Sequence, residues 1–322
     1  MRILHVDTAT EFRGGQRQLV LLAAGLARRG HHQAVACPEG APLRAALPEG
    51  VEVIDVPAGG APTGWPRLRS VARGFEVVAA HTSHAHQACL AVDRPLVVHR
   101  RVDFAVGRGW IGRMKYRVPD AFVCVSSAVA GVLVSGGVDE RRLIVVHDGV
   151  EPPPKAVPAD VGPGRVALAV GALVDHKDHA TLARAAEGLD ARILVAGEGP
   201  LRGALAGTAL ELLGQRGDVP ALLSRADVFV HSSKEEGMGQ SVAEAMFAGV
   251  PVVATRAGGV PEVVGGCGIL VPVGDAEALR AGIQQALRGE HPPVADGRAR
   301  MRAGFSVPVM VAGTEAAYRA VL

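Results

Sequence analysis

Short apolar runs alternate with helical patterns throughout the first half of the chain. Residues 16–29 place leucines and alanines at helical spacing and end before Gly30, which predicts a helix with a glycine stop. The short apolar runs are typical of buried strands, which we predict at residues 2–7, 34–37, 51–56, 77–80, 96–99, 122–125 and 143–147. Strands that alternate with helices indicate βαβ units and a parallel sheet.

The pattern lapses in the proline-rich segment 152–163 and then restarts. Further strands are predicted at residues 166–170, 192–196, 228–231, 251–254 and 269–271, and helices at 179–187, 240–248, 275–287 and 307–322. A chain of 322 residues suits two domains of about 150. We therefore predict an α/β fold with two doubly wound domains, at 1–157 and 158–305, and a final helix over 306–322.

The segment 228–264 carries the most informative chemistry. It predicts a strand, a glycine loop, a helix, a second strand and a second glycine turn. The backbone N–H groups of residues 239–241 fall where the helix begins, so they lack intrahelical acceptors and attract phosphate together with the helix dipole. Glu236 precedes this helix start and Glu244 lies roughly 6 Å beyond it. Carboxylates accept paired hydrogen bonds from vicinal hydroxyls, so the arrangement fits a diphosphate between a sugar and a ribose.

The run EEGMGQSVAEAMFAGVPVVATRAGGVPEVV, with seven residues between Glu236 and Glu244, resembles the signature of family 4 retaining glycosyltransferases. An ordinary helix with solvated acids would not explain the paired glycine turns. The resemblance implies the GT-B architecture, in which two Rossmann-like domains with parallel sheets face each other across a cleft. It implies an acceptor-side N-terminal domain, a C-terminal domain that binds the nucleotide-sugar donor, and a last helix that crosses back to the N-terminal domain.

The resemblance also implies the reaction. A sugar would move from a nucleoside diphosphate sugar to a hydroxyl of a glycan or lipid-linked acceptor, with retained anomeric configuration and without a cofactor or metal. A UDP-sugar is the favoured donor and a GDP-sugar the second choice. Lipopolysaccharide or another cell-surface glycan is the expected product by analogy.

The residues that match the family pattern define an expected donor site. Lys177 matches a lysine that grips the donor diphosphate, whereas Ala172 replaces the arginine that follows the strand-end glycine in the family. Glu236 would orient the sugar and Glu244 would hold the ribose. Donor-binding residues are expected at Gly15, Lys177, Glu198, Gly199, Arg216, Glu236, Gly237, Met238, Gly239, Gln240, Ser241 and Glu244.

Several strand ends in the first half carry further candidates. Gly14–Gly15 resembles the family's N-terminal glycine turn, although turn geometry explains the two glycines equally well. His81 follows a strand and is, with Glu236 and Lys177, a candidate catalytic residue; we also assign it to the acceptor side. The next strand ends in His99, Arg100 and Arg101, which we assign to the acceptor side; whether His99 or Arg101 corresponds to a family histidine that touches the donor sugar stays open.

The histidines at 81, 84 and 86 do not predict a metal site. Residues 84 and 86 would share a face on a strand but diverge on a helix, and no Asp or Glu stands close by. Zinc prefers three or four convergent ligands, so we predict no metal.

Charge is unevenly distributed between the two halves. Residues 1–150 hold 18 Lys and Arg against 13 Asp and Glu, and residues 151–322 hold 16 against 19. The excess includes Arg94, Arg100, Arg101, Arg108, Arg113, Lys115 and Arg117. Two interpretations fit it equally: a patch that contacts anionic membrane lipid or a phosphorylated acceptor, and a solvated arginine-rich face. Nucleic acid is not expected, because no aromatic residues interleave with the basic ones.

The remaining composition indicates a folded cytoplasmic protein that contacts the inner face of the membrane only peripherally, if at all. The four cysteines are far apart and contain no Cys-x-x-Cys, which favours free thiols in a reducing compartment. We expect no signal peptide and no membrane-spanning helix.

Two alternatives to a transferase stay open. One is a nucleotide-sugar 2-epimerase of the same architecture, which would need no acceptor. The other is a catalytically silent sugar-nucleotide binding protein, suggested by Ala172. A dinucleotide oxidoreductase is less favoured, because Arg202 fills the third glycine position after Gly197-x-Gly199.

Overall fold

The structure is a computed structural model that describes residues 1–107 and 110–322. The chain forms two compact units, residues 1–149 with 307–322 and residues 150–306. The predicted border at 157/158 therefore lies inside the second unit. Val150 already belongs to that unit, because its backbone N–H donates to the carbonyl of Phe305 over 2.7 Å and it forms a β-bridge with Ser306.

The first unit is built on a parallel sheet. Its strands are β1 Arg2–Val6, β2 His32–Cys37, β3 Glu52–Asp55, β4 Val77–Ala80, β5 Leu96–Arg100, β6 Ala121–Cys124 and β7 Leu143–Val145. Its helices up to residue 149 are α1 Gly14–Arg28, α2 Leu43–Ala46, α3 Trp65–Ala72, α4 Ser83–Ala88, α5 Trp110–Lys115 and α6 Ser127–Ser135. Across the described residues the strand order is β3-β2-β1-β4-β5-β6-β7. Strands β1 and β4 are neighbours, and the chain adds further strands outward on both sides of them, so the sheet is doubly wound.

The second unit repeats this plan. Its strands are β8 Val166–Val170, β9 Arg192–Ala196, β10 Leu210–Gly214, β11 Val228–His231, β12 Val252–Thr255 and β13 Ile269–Val271. Its helices are α7 His179–Ala186, α8 Arg202–Leu205, α9 Val219–Arg225, α10 Gln240–Ala248, α11 Val260–Val264, α12 Ala276–Leu287 and α13 Val294–Gly304. All recorded strand pairs are parallel, in the order β10-β9-β8-β11-β12-β13. The α/β prediction with two Rossmann-like sheets is thus confirmed.

The last helix, α14 (Val307–Arg319), packs in the first unit. Val311 lies so close to α1 that a Cβ added at Gly25 would collide with it, so the two helices meet at a glycine. Tyr318 is fully buried in the same cluster as Leu22 and Leu26 of α1. The helix therefore completes the core of a unit whose sheet ends more than a hundred residues earlier in the chain.

Glu315 of α14 forms a buried charge cluster. It is ion-paired with Arg29 and with Arg319 at 2.8 Å, and Nε2 of His31 lies 3.1 Å from its carboxylate. The hydrogen bonds from Arg319 lower the pKa of Glu315 most, burial opposes them, and the bond from Arg29 adds to the lowering, which leaves the pKa at about 2. The carboxylate is ionised at neutral pH.

Several elements of the second unit were missed by the sequence pattern. Strand β10 and the short helix α8 were not predicted, and α13 was overlooked because only Gly297 and Met301 of it are buried. Side-chain bonds to the ends of other helices hold α13 in place: Arg298 donates to the carbonyl of Ala248 at 2.6 Å, and Arg300 donates to that of Val263 at 2.9 Å. Carbonyls at helix ends lack intrahelical donors, so such contacts stabilise both partners.

Candidate functional site

Helix α10 begins at a glycine in the left-handed region. Gly239 has φ 93° and ψ 58° and caps the helix, and buried Val242 and Met246 hold the helix against the unit. The backbone N–H groups of Gln240 and Ser241 belong to the first turn, where intrahelical acceptors are missing. The side-chain Nε2 of Gln240 is buried and has no hydrogen-bond partner among the described residues. The helix start therefore presents several donors, as the sequence predicted for Gly239, Gln240 and Ser241.

Glu236 stands just before this helix start and is ion-paired with Lys177. The two residues are 59 positions apart, so the fold brings together the two groups that sequence matching had assigned to the donor. Nε2 of His231 lies 3.2 Å from Oε2 of Glu236, and Oγ of Ser233 lies 3.4 Å from the same oxygen. A cation, a carboxylate and a helix N-terminus thus lie together in the second unit.

Burial and charge set the protonation of this cluster. Burial raises the pKa of Glu236, but the nearby charge of Lys177 and the proximity of His231 outweigh it, so the net shift is downward. Burial lowers the pKa of His231 to about 4, against a smaller upward effect of Glu236. At neutral pH the site therefore holds an ionised carboxylate and a neutral imidazole.

The loop that carries Lys177 is fixed on several sides. Asp178 has φ 49°, an uncommon value outside glycine, and its carboxylate caps α7 by accepting from the backbone N–H of Thr181 at 3.3 Å. It also accepts from the hydroxyl of Thr181 at 2.8 Å. The hydroxyl of Ser232 donates to the carbonyl of Lys177 at 2.9 Å. The backbone N–H of Lys234 donates to the carbonyl of His176 at 2.8 Å. These bonds tie the Lys177 loop to the loop that carries Glu236.

The second glycine turn, Gly258–Gly259, contacts the main chain of Glu236. The backbone N–H of Gly259 donates to the carbonyl of Glu236 at 3.0 Å. Gly258 has φ 46°, and a Cβ added there would collide with that same carbonyl. The Gly258–Gly259 pair therefore holds the main chain of Glu236. The sequence predicted a glycine turn here but not this role.

The predicted base-side residues lie along the neighbouring strand ends. The turn after β9 packs against the loop after β8: the N–H of Leu173 donates to the carbonyl of Glu198 at 3.0 Å, and a Cβ on Gly199 would lie 2.5 Å from the carbonyl oxygen of Leu173. Glu198 pairs with Arg202 at 2.8 Å. Arg216 makes a two-bond pair with Asp218 at 2.7 and 2.6 Å.

Glu198 and Arg216 are therefore both engaged with protein partners. A ligand would have to use the remaining capacity of those side chains or the backbone of the turn. Gly237 and Met238 are buried before the helix cap, and Glu244 lies one turn into α10.

In the first unit, a chain of hydrogen bonds fixes the state of His81. Nε2 of Gln33 donates to the carbonyl of Ala23 at 2.9 Å, so Oε1 of Gln33 accepts and Nε2 of His5 donates to it at 3.1 Å. Burial lowers the pKa of His5 to about 4, so its Nδ1 is an acceptor, and Nε2 of His81 donates to it at 3.0 Å.

The proton of neutral His81 thus sits on Nε2, and its Nδ1 faces NH1 of Arg101 at 3.4 Å. Burial holds the pKa of His81 well below its ordinary value, and neighbouring His99 lowers it further. An acid–base role for His81 would require this chain of hydrogen bonds to break.

The residues predicted for the acceptor side separate onto two faces of β5. His99 stacks on His81, with ring centroids 4.3 Å apart, and bonds to Tyr318 of α14. Arg101 pairs with Asp148 at 2.9 Å, and a Cβ on Gly15 would lie 4.0 Å from its Cδ. Arg100 points to the other face of the strand, as alternation requires, and donates to the carbonyl of Phe104. His99, Arg101 and Gly15 therefore lie together, and Arg100 lies apart from them.

The structure places the remaining candidates of the first unit as follows. His86 bonds to the carbonyl of Lys115 at 3.0 Å and is buried, whereas His84 is exposed. No group of three or more His, Cys, Asp or Glu that could hold a metal ion occurs within residues 1–107 and 110–322. Arg108 of the predicted basic patch lies outside the described residues. None of the helices in the described part of the chain is long and apolar enough to cross a membrane.

Several residues of these clusters were not singled out by sequence reasoning. They are His5, Gln33, Asp148, Asp178, His231, Ser233 and Tyr318. The only signal available for His231 was a polar residue at the end of an apolar strand, and the link from Tyr318 to His99 spans 219 residues.

Comparison with known families places both halves of the chain. Residues 12–152 match the model described as Glycosyltransferase Family 4, and residues 164–289 match the model described as Glycosyl transferases group 1. The two matches cover most of both units.

Individual relatives agree with this placement. The 2-deoxystreptamine glucosyltransferase of Streptomyces kanamyceticus is 28% identical over 267 residues, which are 73% of this chain and 68% of the relative. The O-antigen chain mannosyltransferase B of Escherichia coli is 41% identical over 73 residues, 23% of this chain and 19% of the relative. Three of the relatives, among them the E. coli mannosyltransferase, are matched over only 19% to 50% of their own length.

Solved structures show the same fold. The crystal structure of Anabaena HepE in complex with UDP superposes with a TM-score of 0.83 at 21% identity, over 99% of this chain and 100% of that one. This likeness and the two parallel sheets show the GT-B fold. The two family matches, which together cover most of the chain, show that it belongs to the family 4 glycosyltransferases, the glycosyl transferases group 1.

Proposed function

We propose that the protein is a retaining glycosyltransferase that moves a sugar from a nucleoside diphosphate sugar to an acceptor hydroxyl. The observation that carries the proposal is the Lys177–Glu236 ion pair beside the N-terminus of α10. It puts a cation and unpaired amide donors, which suit a diphosphate, next to a carboxylate, which suits sugar hydroxyls.

In the proposed reaction the bond between the anomeric carbon and the phosphate oxygen breaks as the acceptor oxygen bonds to the same carbon. The diphosphate leaves with the electron pair, and the proton of the acceptor hydroxyl passes to it. Lys177 and the first-turn amides of α10 stabilise the growing negative charge, a contribution that is often the largest in such sites. They supply the charge that a divalent cation supplies in other transferases, so the reaction is proposed to need no metal.

Glu236 is assigned to the hydroxyls of the donor sugar and Glu244 to the ribose. Lys177 and Glu236 are paired with each other in this structure, so the donor must compete with that pair. The diphosphate would draw the lysine toward itself, because it carries more negative charge than one carboxylate. The reaction then depends mainly on holding donor and acceptor in line.

A UDP-sugar is the proposed donor, supported by the UDP complex of the Anabaena relative of similar fold. A cell-surface glycan or its lipid-linked precursor is the proposed acceptor, supported by the name of the E. coli relative. Free cysteines and the basic first unit support a cytoplasmic location with peripheral contact to anionic lipid.

The test is a thermal-shift panel of UDP-, GDP-, ADP- and dTDP-sugars, followed by product analysis with the donor that binds. A donor at about 100 times its dissociation constant should stabilise the protein by about 2.7 kcal/mol. With an acceptor present, NMR of the product should show the anomeric configuration of the donor, and EDTA should leave the rate unchanged.

Other outcomes point to the alternatives. Epimerised sugar nucleotide formed without an acceptor would identify an epimerase. Binding without turnover across a wide acceptor panel would identify a silent binding protein, and failure of every sugar nucleotide to bind would overturn the proposal.

A further inference from the structure

One oxygen of Glu236 receives every contact that the structure shows for this carboxylate. Lys177 Nζ, Ser233 Oγ and His231 Nε2 all approach Oε2, the last two at 3.4 and 3.2 Å. Within the described part of the chain no contact to Oε1 is recorded. The carboxylate is therefore held by one oxygen and presents the other.

The proton positions in this cluster follow from burial and geometry. His231 is 6% exposed and neutral at ordinary pH, so it has one N–H and one lone pair. Its Nδ1 lies 3.3 Å from Oγ of Ser233, which can donate to it. Its buried Nε2 lies 3.2 Å from Oε2 of Glu236 and makes no hydrogen bond with any described residue. A lone pair there would oppose a carboxylate, whereas an N–H is attracted to it, so the proton belongs on Nε2.

Lys177 and His231 therefore differ in what a donor does to them. A bound diphosphate would draw the lysine away from Glu236, because both compete for one ammonium group. His231 is neutral and almost fully buried at the end of β11, so it has no corresponding reason to move. The imidazole can hold the carboxylate during the exchange.

We propose that His231, oriented by Ser233, is a positioning residue that anchors Oε2 of Glu236 so that Oε1 meets the hydroxyls of the donor sugar. This inference rests on the proposed function, because it assumes a nucleotide-sugar donor at this site. It predicts that His231 matters for the sugar part of the donor and not for the nucleoside diphosphate part.

The experiment compares sugar nucleotide and bare nucleotide in the same variants. Dissociation constants are measured by calorimetry for UDP with UDP-glucose and for GDP with GDP-mannose, and the pair that the wild type binds is carried forward. His231→Phe removes the N–H at similar size, and His231→Gln keeps an N–H at the corresponding position. Ser233→Ala removes the hydroxyl that orients the ring.

We expect His231→Phe to weaken binding of the sugar nucleotide by about tenfold, because it removes the N–H that lies against the charged carboxylate of Glu236. Binding of the bare nucleotide should stay within about twofold of wild type, a change worth only a few tenths of a kcal/mol. His231→Gln should restore most of the affinity, and Ser233→Ala should weaken sugar-nucleotide binding selectively but less. If His231→Phe does not fold, the Ser233→Ala and His231→Gln comparison decides.

Equal weakening of both ligands, or of neither, would overturn the role of His231. Wild-type protein that binds none of the four ligands would instead count against the proposed function. The two failures are therefore distinguishable in one set of titrations.

Discussion

The hydroxyl of Tyr318 lies 2.7 Å from Nε2 of His99, which joins the last helix of the first unit to the end of strand β5. Burial raises the pKa of Tyr318, so the phenol stays protonated. No second acceptor for this O–H is recorded in the described residues, so the hydroxyl donates to His99 and leaves the histidine proton on Nδ1. His99 stacks on His81, which faces Arg101, so α14 influences the whole histidine cluster.

Replacement of Tyr318 by Phe should destabilise the first unit by about 1–3 kcal/mol, because it leaves a buried ring nitrogen of His99 without a donor. Both tryptophans, Trp65 and Trp110, belong to this unit, so their fluorescence during urea unfolding reports its stability. Tyr116→Phe is the control, because no hydrogen bond of the Tyr116 hydroxyl is recorded among the described residues. An equal loss of stability in Tyr318→Phe and Tyr116→Phe would contradict a stabilising contribution from the Tyr318–His99 hydrogen bond. Nitrogen NMR should also show the His99 proton shifting from Nδ1 toward Nε2 in Tyr318→Phe.

The Glu315 cluster should make the first unit sensitive to acid. The pKa of Glu315 is lowered to about 2 in the folded chain, against about 4.3 in an unfolded one. A depressed carboxyl pKa stabilises the fold above the unfolded value, and this stabilisation is lost as pH falls from about 5 toward 2. Unfolding followed by tryptophan fluorescence across this range should show a steeper loss in wild type than in Glu315→Gln. Parallel curves would show that Glu315 is not the group responsible.

Removal of the Lys177 charge should affect catalysis more than folding. Lys177→Met is expected to lower kcat/KM by about 100- to 1000-fold, the usual cost of losing one stabilising donor for a developing negative charge. It also leaves Glu236 with one partner fewer. Lys155→Met is the matched control, because Lys155 is exposed in the proline-rich segment of the same unit. An unchanged rate for Lys177→Met would remove this lysine from the reaction.

The turn that supports Glu236 should tolerate no side chain at Gly258. Gly258→Ala places a Cβ against the carbonyl of Glu236 at φ 46°, so we expect a loss of about 1–3 kcal/mol in stability and a clear loss of sugar-nucleotide binding. Gly203→Ala is the control, because nothing lies within 4 Å of a Cβ at that position. Thermal unfolding and calorimetry with the donor measure the two effects. Tight donor binding by Gly258→Ala would show that the turn does not fix Glu236.

The sequence predicted those features that are local in the chain. The segment 228–264 contains its strands, glycine turns and α10 in one continuous run, so their order and bounds follow from periodicity and glycine positions. The N-cap of α12 is likewise local: Asp275 accepts from the backbone N–H of Ala278, and Asp is one of the residues that helix starts prefer.

Features that depend on distant residues could not be predicted in the same way. Lys177 and Glu236 were assigned to the donor site only because both positions match a family pattern, and the ion pair that joins them across 59 residues was not predicted. His231 looked like the end of an apolar strand, and Tyr318 like one residue of a final helix. Helix α13 is held by hydrogen bonds from its arginine side chains to carbonyls of other helices, and the spacing of apolar residues does not predict such bonds.

The discontinuity of the first unit has a consequence for biosynthesis. Residues 1–149 leave the ribosome before α14 exists, and the 157 residues of Val150–Ser306 must be translated in between. At about 5–20 residues per second this takes roughly 8–30 s. During that interval the apolar side of α1 that later meets Val311 and Tyr318 has no partner, so the nascent chain offers chaperones a surface that the finished protein conceals.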